Sequence, residues 1–63
     1  MVVKGIVSVV NNRTAQVSIP LLNAVAPAVG ISRHIRDLEI GNRVVVVFYS
    51  DDLSDGCIIG VID

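Results

Sequence analysis

The sequence predicts an all-β fold: a small closed antiparallel barrel of five short strands. Three observations point there. A third of the 63 residues are valine or isoleucine, whose branched Cβ atoms pack well on a pleated surface. Short apolar runs recur along the chain, separated by Asn, Asp, Gly and Pro turn signals. The last two runs, Arg43 to Tyr49 and Cys57 to Ile62, flank a polar loop ending in Asp55-Gly56 and read as a closing hairpin.

The first strand spans Val2 to Val10. Gly5 within it predicts a bulge or sharp bend at Lys4-Gly5, which lets a long strand curl round a small barrel. Asn11-Asn12-Arg13 is a turn, since asparagine tolerates the left-handed conformations of tight hairpins. Thr14 to Ile19 alternates, with Ala15, Val17 and Ile19 on one face and Thr14, Gln16 and Ser18 on the other. That pattern makes it a half-exposed strand.

Pro20 ends the second strand because proline cannot donate to a ladder. Leu21 to Ala26 is expected to be a loop, and Pro27 to open a third strand over Ala28 to Ser32. Ile31, Arg33 and Ile35 share parity, so this strand is extended to about His34, the alternative being one helical turn capped by Ser32. Gly41-Asn42 turns into the fourth strand, whose apolar residues on both faces mark it as central. Gly60 in the fifth strand implies a bend or a close backbone approach. Residues 1–63 form one domain, with no repeat or linker. Among small barrels, the five-stranded OB fold matches best in strand number and length.

Composition narrows the function. A chain this short buries only about 60% of its unfolded surface, yet 52% of its residues are hydrophobic. Its interior cannot hold them all, so a homo-oligomer, or a partner covering one face, is expected. The formal net charge of −1 provides no long-range field to gather phosphate backbones. Cys57 is the only cysteine, so no disulfide frames the fold, and with His34 it cannot complete a structural zinc site. An unpaired cysteine fits a reducing compartment. No apolar run is long enough for a membrane helix, and the N-terminus lacks the pattern of a signal peptide.

The stretch Glu39-Ile40-Gly41-Asn42-Arg43-Val44, with Val46 and Phe48, then Asp52, Ser54-Asp55-Gly56, Ile59-Gly60 and Ile62, resembles the OB domain of phage baseplate assembly proteins of the V type. The spike proteins of contractile tails and type VI secretion systems carry similar domains. The hairpin from Gly5-Ile6-Val7 to Val17-Ser18-Ile19-Pro20 fits the family's opening strands. Three features depart from the pattern. No tryptophan precedes the Glu39-Ile40-Gly41 turn, and neither a peptidoglycan-binding or lysozyme domain nor a triple β-helix spike is present. The resemblance therefore implies an OB scaffold and an assembly role in a tail or baseplate, located in the virion or in the host cytoplasm during assembly. It does not imply membrane piercing.

The residues support a non-enzymatic module acting through its surfaces. Leu21, Leu22, Val25 and Ala26 are apolar residues in an expected loop and are the first candidates for subunit contact; the outward-facing Val45 and Val47 are the second. The alternative for the loop is that it folds back over an open barrel end. Arg13, Arg33 and Arg36 would set register at an interface rim. Together with His34 and Tyr49, Arg33 and Arg36 are also the candidates for a different function, binding of single-stranded nucleic acid or oligosaccharide, which needs stacking platforms as well as charge. Phe48 and Tyr49, the only aromatic residues, are adjacent on a strand and face opposite ways, leaving one platform. Asp51, Asp52 and Asp55 suggest a calcium loop, but Leu53 and Ile62 would stand where oxygen ligands belong. The aspartates are expected to turn the chain instead, with Gly56 supplying positive φ. Cys57, sharing parity with Ile59 and Val61, is expected to be a small buried hydrophobe. No cofactor, metal or catalytic residue is expected, and His34 has no partner assignable from spacing.

Overall fold

The structure, a computed structural model, describes residues 1–62. Five strands, β1 (Val2–Val10), β2 (Thr14–Ile19), β3 (Ala24–Ile31), β4 (Arg43–Phe48) and β5 (Gly56–Ile62), close into an OB-like barrel in the spatial order β1-β2-β3-β5-β4. The sheet is mixed, not purely antiparallel. β3 and β5 run parallel through the pairs Gly30 with Cys57 and Ile31 with Ile58, while every other neighbouring pair is antiparallel. Parity requires this. An odd number of strands cannot alternate direction all the way round a closed ring.

The core is wholly apolar. Val3 and Val7 of β1, Ala15, Val17 and Ile19 of β2, Ala26 and Val29 of β3, Val44, Val46 and Phe48 of β4, and Ile58 of β5 fill it, and no polar side chain among the described residues is buried. Strand alternation selects these residues, most cleanly in β2 and β4, where every second side chain points inward. The opening strand is as expected, but its irregularity lies elsewhere. The register with β2 slips between Val7 and Val9, leaving Ser8 as the extra residue. Gly5 is instead a point of close approach, because a Cβ there would overlap Val17 Cγ1 and sit 3.1 Å from the Ser18 carbonyl oxygen.

The segment after β2 is shorter than expected. Pro20–Leu22 forms one 3-10 turn, Asn23 closes it in the left-handed conformation (φ 50°), and its amide donates to the Pro20 carbonyl at 3.0 Å. β3 then begins at Ala24, so Ala26 lies in a strand and not in a loop, and Pro27 lies inside the strand it was expected to open. A bulge accommodates the proline. Register passes from Ala15 opposite Val29 to Val17 opposite Ala26, placing Pro27 and Ala28 together against Gln16.

β3 ends at Ile31, not near His34. The Ile35 amide donates back to the Ser32 carbonyl at 3.0 Å, so residues 32–35 make a turn within an irregular connection to β4. The Gly41 turn is present (φ 94°), and Gly41 donates to the Val7 carbonyl at 2.8 Å, fastening this connection to β1. β4 ends at Phe48, one residue early, and β5 starts at Gly56. Gly56 has no positive φ; a Cβ there would lie 2.5 Å from Phe48 Cδ1, so glycine makes room for the ring. Gly60 has no neighbour that a Cβ would meet and lies beside a third register irregularity, a bulge at Ile59 between the pairs Val45 with Gly60 and Val46 with Ile58. The faces differ from those expected: Ile58, opposite the buried Val46, points inward, whereas Cys57, opposite the outward-facing Val47, is half-buried and Ile59 and Val61 are exposed.

Candidate functional site

Two surface features could carry function, and both are built by connections between strands. The first is apolar. Eleven residues form the buried core, and among the described residues another eleven large apolar side chains remain exposed. Leu21 is the most exposed at 83%; Leu22 and Val25 accompany it at 40% and 50%. The 3-10 turn packs against β1 yet buries none of its own residues. It folds back toward the barrel without hiding its leucines.

This patch has a floor. Pro20 borders both a groove of about 480 Å³ lined by Ser18, Ile19, Asn23, Ala24 and Val25, and a smaller one of about 170 Å³ lined by Lys4, Gly5, Ile6, Arg43 and Ile62. Strand register links the two: Ile6 pairs with Ser18, and Ser18 with Val25, so these side chains form one row across three strands. Of the residues expected at an interface, Leu21, Leu22 and Val25 come together here. Ala26 does not; it points into the core with no exposed surface, because bringing it into β3 gave it the inward parity of Val29 across the bulge. Val45 and Val47 are half-buried on the outer face of β4, where Val47 pairs with Val2, itself 66% exposed.

The second feature is a polar cleft of about 420 Å³ at the opposite end of β2. Asn12 and Arg13 from the β1–β2 turn line one side, and Ile31, Ser32, Arg33 and Ile35 line the other. Arg13 and Arg33 are twenty residues apart in sequence. The Ile31 amide brings them together by donating to the Arg13 carbonyl at 3.2 Å. Neither guanidinium has a partner among the described residues, and no acidic residue lines the cleft. Arg36, also exposed, follows in the same connection, though Asp37 and Glu39 come directly after it.

Sequence reasoning grouped Arg33, His34 and Arg36 as the basic cluster and set Arg13 beside Arg33 and Arg36 only as a rim charge; that Arg13 and Ser32 share a cleft with Arg33 follows from the closure of β3 against the first turn. His34 does have a partner: Ser32 Oγ and His34 Nδ1 are 2.7 Å apart. A serine–histidine contact is where nucleophile activation begins, but such activation also requires a group to orient the imidazole. Among the described residues no side chain bonds the other ring nitrogen, and both residues face solvent. Tyr49 is 68% exposed and Phe48 is in the core, as their opposite parity implied, but Tyr49 is not part of the arginine cleft.

The acidic loop is self-contained. The Tyr49 amide donates to the Asp55 carbonyl at 3.0 Å, closing the loop's neck, and Asp52 Oδ1 accepts from the Ser54 amide at 3.0 Å. Asp52 thus turns the chain as expected, while Asp51 and Asp55 extend exposed carboxylates with no partner among the described residues. No group of three or more His, Cys, Asp or Glu among the described residues is arranged to hold a metal ion. No family model, curated protein or solved structure matches the chain.

Proposed function

We propose that this chain is a non-enzymatic structural protein of a phage, or prophage-derived, tail or baseplate, and that copies of it associate through apolar surface into a symmetric oligomer. The observation that carries the reading is the exposed leucine turn on a barrel whose core is already full. Exposed apolar groups scattered singly are ordinary, but Leu21, Leu22 and Val25 around Pro20 form a cluster. Burial of that cluster against a copy or a neighbouring tail protein supplies affinity, and the half-buried Val45 and Val47 give the outer face of β4 a second contact. The resemblance of residues 39–62 to baseplate OB domains supplies the setting: the virion, or the host cytoplasm during assembly.

The test is the mass of the particle in solution. Size-exclusion chromatography with light scattering at high micromolar concentration should give a discrete multimer, and a monomer there rejects the reading.

The arginine cleft favours a second reading, an OB module binding single-stranded nucleic acid or oligosaccharide through Arg33, His34, Arg36 and Tyr49. Tyr49 lies outside the cleft lining, so stacking and charge do not converge. Salt-dependent binding of an oligonucleotide, lost on Tyr49→Ala, would favour this reading over the first.

A further inference from the structure

We propose that the Arg13–Arg33 cleft is a docking site for the acidic Tyr49–Asp55 loop of a second copy of this chain; the proposal rests on the reading that the chain self-associates, and it names a charged contact distinct from the leucine cluster. Three observations converge on that occupant. The cleft holds two guanidiniums without internal partners and no carboxylate, so it presents unneutralised positive charge in a concave site. The loop is its complement: three aspartates within five residues, projecting beyond a closed neck, with Asp51 and Asp55 unpaired among the described residues. Both features belong to one chain whose net charge is only −1, so two copies can meet cleft to loop without a large net repulsion.

Arginine suits this contact because its planar fork meets a carboxylate with two parallel hydrogen bonds. The cleft's shape is fixed before binding, since the Ile31–Arg13 backbone bond ties its two walls together and the Ile35–Ser32 turn holds Arg33. The loop is likewise shaped in advance by the Tyr49–Asp55 and Ser54–Asp52 bonds, so little ordering remains to be done on association. A site on one surface patch that receives a different patch of the next copy produces a heterologous contact, which closes into a ring when its rotation permits.

The experiment pairs Arg13→Glu/Arg33→Glu with Asp51→Lys/Asp55→Lys, leaving Asp52 in place because it holds the loop turn. Each variant and the wild type are followed by sedimentation equilibrium at about 50 and about 500 mM salt, with circular dichroism as the folding control. The expected result is that wild-type association weakens with salt and that either double variant alone associates at least about tenfold more weakly, a loss of about 1.4 kcal/mol. Mixing the two, which matches an intact loop with an intact cleft, should restore a one-to-one complex. Wild-type-like association of the cleft variant overturns the docking contact while leaving self-assembly intact. A wild-type monomer at low salt overturns both. Binding of a deoxythymidine oligonucleotide by the wild type that is lost in the cleft variant, with self-association unchanged, assigns the cleft to nucleic acid and overturns the proposal.

Discussion

Gly5 of β1 lies directly over Val17 of β2, and the space between them cannot take a methyl group. Both positions face inward and both are buried. The barrel is drawn tight at this point, since the next neighbour of a Cβ on Gly5 would be the Ser18 backbone, which cannot rotate away.

Gly5→Ala is therefore expected to destabilise the fold by about 1–3 kcal/mol through overpacking. Urea denaturation measures it. Gly5→Ala with Val17→Ala should lose less than the sum of the two single changes, because the valine methyl that obstructs the new Cβ is gone. Strict additivity would show that the glycine serves some other purpose.

The same reasoning separates the two aromatic residues. Phe48 is 1% exposed and its ring occupies the space opened by Gly56, so Phe48→Ala should cost about 3–5 kcal/mol. Tyr49, one residue on and 68% exposed, should change stability by less than about 0.5 kcal/mol when replaced by alanine. Thermal melts of the two variants give the comparison directly, and a severe loss from Tyr49→Ala would contradict its placement.

Asn23 sits at φ 50°, a conformation that costs a β-branched residue far more than asparagine or glycine. Asn23→Gly should leave the melting temperature nearly unchanged, whereas Asn23→Val should destabilise by about 1–2 kcal/mol. Equal effects would mean that the turn relaxes without cost.

Sequence pattern carried the strands that alternate and failed where the ladder is irregular. Ala15, Val17, Ile19, Val44, Val46 and Phe48 are legible as core because period two holds across β2 and β4. Pro27 misdirects, since a proline reads as a strand boundary unless the bulge that accommodates it is known. That bulge depends on register with β2, a long-range fact. The faces of the fifth strand are likewise set by register with β4, which puts Ile58 opposite the buried Val46 and Cys57 opposite the outward Val47. The arginine cleft was half visible: Arg33 stood out in a basic cluster, but Arg13 joins it only through the Ile31 hydrogen bond.

Leu21 provides the sharpest separation between fold and assembly. It is 83% exposed, belongs to a turn that buries none of its residues, and makes no contribution to the core cluster. Leu21→Asp should therefore leave the far-ultraviolet circular dichroism of the barrel intact, and its urea midpoint should match that of the wild type at protein concentrations low enough for both to be monomeric. In an assembly that covers this turn, the same change places a carboxylate in apolar surroundings, where an unpaired charge is strongly disfavoured. The multimer mass should then fall toward that of the monomer in light scattering. If the mass holds while Val47→Asp lowers it, the outer face of β4, not the leucine turn, is the principal contact.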